Sequence, residues 1–331
     1  MVGIKGYKFK TLHDLELDND YVLKLPRNIK KGQKISILSD TMLKAMFQNE
    51  NRIKYSAKFL SYFIDVEYED ILNNICLAKN ELDKNRENDK GERCDYVALL
   101  SDTSLNIEVN NNSSLEVLER NMEYAHRLYS KKIRRGEENY QYTQVIQFNL
   151  NNFAFKGNDK IIDIYTVTND DNIGLSNKLI FVQIYVPNLR KKWYTKGIKS
   201  LSEEEKYILA LVEMDLDKLN DLGGENIMDE YVKEAEEVSF EGGVGEAYDK
   251  EWALRDQGYR DGLSQGKAEG KAEGFSQGKV EGKAEGISEG ISQGKSESKK
   301  EIAKNMLNEG IDINIIIKCT GLTNEDINAL K

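Results

Sequence analysis

The chain has 331 residues, with 47 Lys and Arg against 57 Asp and Glu and a formal net charge of −10, so its surface as a whole is not that of a non-specific nucleic-acid binder. Only His13 and His126 are present, and Cys76, Cys94 and Cys319 are unclustered, which argues against a histidine-rich metal centre, a Ser-His-Asp triad, a zinc knuckle or a disulfide framework. Carboxylate chemistry in a reducing, cytoplasmic setting is what remains. No apolar run approaches the ~20 residues that span a bilayer, and the first ten residues lack a signal-peptide apolar core, so neither a membrane partner nor export is expected.

The length accommodates one sizeable core and a substantial appendage. Residues 1–38 read as an arm, with Tyr21–Leu25 as an edge strand closed by Pro26. A helix begins at Ser39 or Asp40, either of which suits the N-cap, and carries Leu43, Met46 and Phe47 as its apolar stripe. A second helical pattern covers 52–64 through Ile53, Ala57, Leu60 and Phe63 or Ile64. A turn or short helix then leads to a strand at Ile75–Ala78, and the charged segment 83–92 reads as a loop.

The most informative stretch runs from Arg93 to Asn112. Tyr96–Leu100 is a compact apolar run, and Ser101-Asp102-Thr103-Ser104 is turn chemistry. Leu105–Asn110 alternates as a half-buried strand, with Asn106, Glu108 and Asn110 on one face and Leu105, Ile107 and Val109 on the other. Asp95 stands at the mouth of the first strand. If the strands pair as a hairpin, its carboxylate approaches that of Glu108, and two converging carboxylates suit a hard cation such as Mg²⁺ or Mn²⁺.

After the hairpin, Ser113 or Ser114 caps a long helix reaching about Arg135 and stopped by Gly136. Its apolar face is Leu115, Leu118, Met122, Ala125, Leu128 and Tyr129. Arg120 either meets a phosphate or carboxylate near the hairpin or pairs with Glu116 or Glu123 on the surface. Strands are predicted at 144–150, 161–168 and 179–186, and Ser202 followed by Glu203-Glu204-Glu205 caps a helix through Val212. Two basic clusters, 131–135 and Arg190-Lys191-Lys192, either track phosphates or are solvated element ends. This order suits an α/β sheet flanked by helices.

The tail differs. Glycines recur every fourth residue from Gly258 to Gly294, with small and polar residues between. A four-residue spacing is a helical register whose glycine track drifts by ~40° per repeat. The tail is either a helical oligomerisation stalk or a flexible spacer, with the helix the favoured reading. Residues 299–331 form a compact helical unit similar to a helix-turn-helix. The last helix lacks basic residues, so docking or self-association is expected there rather than base reading.

Taken together, Asp95, the hairpin and Glu108-x-Asn110 resemble the acid, hairpin, acid-x-lysine signature of PD-(D/E)xK nucleases. More specifically, the chain resembles the recombination-promoting nucleases, also described as transposases, of that superfamily. The resemblance extends to Asp40-x-x-x-Lys44-x-x-Phe47, Arg120-x-x-x-Tyr124, Gly136-x-x-x-Tyr140 and the glycine-periodic tail. It implies an α/β fold with a restriction-endonuclease-like mixed sheet flanked by helices, followed by the long helical or flexible tail and the small helical unit. The expected division is 1–38 arm, 39–240 nuclease-like domain, 241–298 tail and 299–331 terminal module. The implied activity is metal-dependent hydrolysis of double-stranded DNA with Mg²⁺ or Mn²⁺, held by Asp95, Glu108 and the Val109 carbonyl. Asp95, Glu108 and Asn110 are the catalytic candidates, with Asp40, Lys44, Arg120 and Tyr124 as accessories. Asn110 stands where the superfamily has lysine; it can position a water but carries no charge. Lys44 is one candidate to replace that charge. The alternative reading is a catalytically weak or inactive nuclease fold that binds DNA or self-assembles through the tail.

Overall fold

In the computed structural model the described residues are 11–81, 93–111, 116–130, 143–169, 171, 173–223 and 226–330. They fall into two compact units, Met1–Arg255 and Asp256–Lys331. The elements of the first unit, in chain order, are β1 (Leu17–Asp18), α1 (Asp40–Phe47), α2 (Ile53–Ser61), α3 (Tyr68–Asn74), β2 (Ile75–Leu77), β3 (Tyr96–Leu100) and β4 (Thr103–Asn110). There follow α4 (Glu116–Ser130), β5 (Gln144–Asn151), β6 (Ala154–Phe155), β7 (Ile162–Thr166), β8 (Leu179–Tyr185), α5 (Val186–Lys196), α6 (Glu203–Val212), α7 (Leu216–Leu219) and α8 (Asn226–Ser239). Helix α9 (Gly242–Asn308) begins in the first unit, and α10 (Ile313–Thr320) and α11 (Asn324–Asn328) close the second.

Six strands form a mixed sheet in the order β2-β3-β4-β5-β8-β7. The β2, β3 and β4 strands pair antiparallel, β4, β5 and β8 run parallel, and β7 returns antiparallel on β8. The β3–β4 hairpin closes over Ser101-Asp102, with Leu100 opposite Thr103 and Ser101 at φ +52°, where a non-glycine residue is uncommon. The period-two alternation sends Leu105, Ile107, Phe148, Leu150, Val182 and Ile184 to one face, where they join the core built with α1, α2, α6 and α8.

Helix α1 is capped by Ser39, whose hydroxyl accepts the Met42 N–H at 3.3 Å; Asp40 is its first residue. Leu43, Met46 and Phe47 are buried, as the stripe required. Helix α6 carries a capping box between Ser202 and Glu205. The strands expected at 75–78, 144–150, 161–168 and 179–186 form within a residue or two of those bounds.

Tyr21–Leu25 is not a strand. Side chains replace the ladder there: Asn152 accepts the Leu23 N–H at 2.9 Å and donates to the Leu23 carbonyl at 2.8 Å, and Trp252 donates to the Leu25 carbonyl at 3.1 Å. The short strand of this arm is β1, paired with β6. Met122, expected in the apolar face of α4, is 49% exposed. The cap at Ser113 or Ser114, Gly136, Tyr140 and the basic cluster 131–135 lie outside the described residues.

In the second unit, the glycines from Gly258 to Gly294 all lie in α9 with open space where a Cβ would stand. Each costs about 1 kcal/mol relative to alanine in a helix interior. Gly310 and Gly321, at φ +76° and +68°, end α9 and α10 in the left-handed region. Thr323 caps α11 in a box with Asp326. Ala303, Ile316 and Ile327 form the small core, and Ile302 is 49% exposed because Ala303 takes the inward place.

Candidate functional site

Asp95 precedes β3, directly beyond the Tyr96↔Ile107 pair, so antiparallel register sets it opposite Glu108 on the same face of the sheet. The two residues are tied through the backbone. The Asp95 N–H donates to Glu108 Oε1 at 3.3 Å, and the Asp95 carboxylate accepts the Val109 N–H at 2.9 Å. A strand residue turns its N–H and C=O to the same side, so the Val109 carbonyl also faces the edge that β3 leaves open. Gln48, from the end of α1, donates its amide to the Asp95 carbonyl and fixes the approach of that strand.

Both carboxyls hold their protons more tightly than ordinary acids. Loss of hydration pushes Asp95 up to about 6, with Asp40 adding repulsion and the Val109 N–H, Arg120 and Lys44 opposing. Glu108 is raised well above its ordinary value, first by burial and then by Asp95; the Asn106 amide, the Asp95 N–H and Arg120 pull it back. Among the described residues, no group of three His, Cys, Asp or Glu side chains gathers as a ready metal cage. Two carboxylates and a peptide carbonyl nonetheless match a small oxygen-seeking ion that keeps waters and takes substrate phosphate as further ligands. Hard oxygen donors of this kind are not those a thiolate- or imidazole-seeking metal prefers.

The accessory candidates divide. Asp40 is not the cap, which is Ser39; it pairs with Lys44 at 2.5 Å, and both act on Asp95 through their charge. Ser39, together with Glu251 from α9, serves the start of α1: Glu251 accepts the Ser39 hydroxyl at 2.6 Å and the Asp40 and Thr41 N–H groups at 3.2 and 3.0 Å. Arg120 is exposed, its guanidinium 3.5 Å from Asn110 Oδ1 and 5.7 Å from the Tyr124 ring. Tyr124 is buried in an apolar cluster with Val97, Leu128 and Val145. The surface pairing open to Arg120 falls instead to Arg127, which binds Glu123 at 2.7 Å.

The polar face of β4 is not half-exposed as expected. Asn106, Glu108 and Asn110 are all buried, at 0–1% exposure, because α4 covers them and the neighbouring strands present matching amides. Asn106 donates to Gln147 at 3.1 Å, Gln147 to Asn149 at 3.1 Å, and Asn121 on α4 to both Asn149 (2.9 Å) and Asn110 (3.1 Å). Asn110 donates on to Asn151 at 2.8 Å, and Asn151 to Gln183 at 2.8 Å. This ladder escaped the sequence reading, although Gln147, Asn149 and Asn151 alternate with Ile146, Phe148 and Leu150 in the same rhythm as β4.

The Arg190-Lys191-Lys192 cluster is internally neutralised. Arg190 lies 3.6 Å from Glu213, Lys191 2.9 Å from Asp159 and Lys192 2.7 Å from Glu205. These pairings favour the reading of a solvated element end over a phosphate track. All three cysteines are free thiols, and no described helix is long and apolar enough to cross a membrane.

Comparison with known proteins returns two family matches. Residues 37–259, about two thirds of the chain, match the PD-(D/E)XK nuclease family transposases. Residues 296–331 match the C-terminal helix-turn-helix domain of the Rpn/YhgA-like nuclease family. Nothing among curated proteins or solved structures matches the chain. The first match spans the mixed sheet, the Asp95–Glu108 pair and α4, and on that extent the chain belongs to the PD-(D/E)XK nuclease family of transposases.

Proposed function

We propose that the chain is a divalent-cation-dependent DNA endonuclease, and the reading rests on one observation: Asp95 and Glu108 face each other across the β3–β4 hairpin beside the Val109 peptide. Asp95, Glu108 and the Val109 carbonyl would hold Mg²⁺ or Mn²⁺. Bound there, the ion supplies a more acidic water and charge neutralisation at the phosphate. The chain's own residues set up that chemistry. The Val109 N–H orients the Asp95 carboxylate, the Asp95 N–H and Asn106 orient Glu108, and Arg120 brings positive charge to both. Double-stranded DNA is the proposed substrate, with the terminal helix-turn-helix domain as a second point of contact. Helix α11 carries Glu325 and Asp326 in its first turn, which argues for backbone or protein docking over base reading there. The glycine-periodic part of α9 is proposed to self-associate.

Incubating supercoiled plasmid with the protein across a Mg²⁺ and Mn²⁺ series, beside Glu108→Ala, tests the activity. Metal-dependent nicking lost in the variant supports it; identical traces reject it. A second reading, a nuclease fold retained for binding alone, is favoured by Asn110 at the superfamily lysine position, and it predicts DNA retention without cleavage at any metal concentration.

A further inference from the structure

The position that carries lysine in the superfamily is, in this chain, built into the interior. Asn110 is 1% exposed. Its nitrogen donates to Asn151 at 2.8 Å, and its oxygen accepts from Asn121 at 3.1 Å and faces Arg120 at 3.5 Å. Both ends of the carboxamide are therefore engaged by β5 and α4, and with the side chain 1% exposed the amide is turned into the ladder and away from an attacking water. Arg120 differs in each respect. It is exposed, so a phosphate arriving from solvent meets it, and its charge acts on both Asp95 and Glu108. Lys44, the other cation at the site, acts on Asp95 and is held by Asp40 at 2.5 Å.

Resting on the nuclease reading above, we propose that Asn110 is a positioning residue locked in the amide ladder, and that Arg120 supplies the positive charge the superfamily draws from a lysine at that position. The ladder then has a purpose beyond packing. By fixing the Asn110 oxygen toward α4, it gives the guanidinium a stationary neighbour at the rim of the carboxylate pair. Guanidinium can serve two phosphate oxygens at once, which an ammonium group serves less directionally. It follows that restoring lysine at position 110 does not restore a missing function. A cation placed there is enclosed by Asn121, Asn149 and Asn151, and the Asn121 amide loses its acceptor.

The test uses the full chain and the variants Asn110→Lys, Arg120→Gln, Arg120→Lys and Glu108→Ala. Three measurements are made: thermal melting, single-turnover plasmid nicking in Mg²⁺, and anisotropy of a short fluorescein-labelled duplex in Ca²⁺ across a salt series. Arg120→Gln is expected to melt like the parent and nick on the order of 100-fold more slowly. Its duplex binding should lose about one phosphate contact's worth of salt dependence, with Arg120→Lys recovering part of both. Asn110→Lys is expected to melt on the order of 10 °C lower, or to fail to fold, and to gain no rate. An Asn110→Lys protein that melts like the parent and nicks faster overturns the proposal. So does an Arg120→Gln protein equal to the parent in both rate and salt dependence. If the parent itself shows no nicking that Glu108→Ala removes, the nuclease reading falls and the catalytic role of Arg120 with it; the melting of Asn110→Lys still decides whether Asn110 is structural.

Discussion

Asp95 and Glu108 are joined by a reciprocal backbone arrangement: the Asp95 N–H reaches Glu108 Oε1 at 3.3 Å, while the N–H of Val109, next to Glu108, reaches Asp95 Oδ2 at 2.9 Å. Each carboxylate is oriented by the other residue's strand, so the pair is set by the register of the hairpin and not by side-chain packing. Ionising both sets two like charges together, and Arg120 is a cation acting on both. Such a site trades stability for chemistry.

Neutralising the pair is therefore expected to stabilise the metal-free protein. In Glu108→Gln the cost of ionising a buried carboxyl and its repulsion on an ionised Asp95 disappear, so the gain is expected at alkaline pH, and the new amide lies among Asn106, Asn149 and Asn110. Melting should rise by a few degrees without metal, while metal-dependent nicking falls to background. A variant that melts lower than the parent without metal would show that the Glu108 charge is not under strain.

The pH dependence follows from the direction of the shifts. Asp95 rises from its ordinary value to about 6 in the folded chain. An acid raised on folding contributes stability below its unfolded value of about 4, and this contribution is lost as pH climbs through 6. Metal works against the proton, so Mn²⁺ affinity should fall as pH drops from 7 to 5, approaching tenfold per unit when one proton is displaced. Calorimetric titration of Mn²⁺ at several pH values, repeated with Asp95→Asn, reads the affinity, and metal-free melting over the same pH range reads the stability; a pH-independent affinity in the parent would contradict the assignment.

Asn121 ties α4 into the amide ladder, donating to Asn110 and Asn149. Asn121→Leu leaves Asn149 Oδ1 with Gln147 and leaves Asn110 Oδ1 with only the longer Arg120 contact. The expected loss is about 1–3 kcal/mol of stability by chemical denaturation. An unchanged midpoint would mean the ladder does not bind α4 to the sheet.

The glycine-periodic helix gives a separate test. No atom stands within 4 Å of an added Cβ at Gly270 or Gly278, so Gly270→Ala and Gly278→Ala are expected to raise helix content by circular dichroism, each by about 0.5–1 kcal/mol of local stability. Self-association through the glycine track predicts in addition that Gly270→Leu and Gly278→Leu lower the mass measured by sedimentation equilibrium. A mass equal to one chain in parent and variants would reject self-association.

Much of this molecule was legible in one dimension. The alternation Leu105–Asn110 assigned each residue to its face, because side chains in a strand cannot choose otherwise. The stripe Leu43, Met46 and Phe47, the Ser202 box and the tail glycines at helical spacing likewise announced their elements through local geometry. Residues 21–25 misled, since their extended backbone is satisfied by Asn152 and Trp252, more than a hundred positions away.

Sequence by itself determined which side chains share the β4 face, because strand period leaves little freedom, and brought two carboxylates together on condition that the strands pair; the structure tightens the four-residue turn of the sequence reading to Ser101-Asp102. Tertiary structure decided what surrounds them. Parallel pairing with β5 and the cover of α4 turned an apparently exposed polar face into a buried ladder, drew Asn110 inward and left Arg120 at the rim. Amides at Gln147, Asn149, Asn151 and Asn121 acquire meaning only when strands and helix distant in sequence supply each other's donors and acceptors, since a buried amide must be paired and its partners are not its neighbours in the chain.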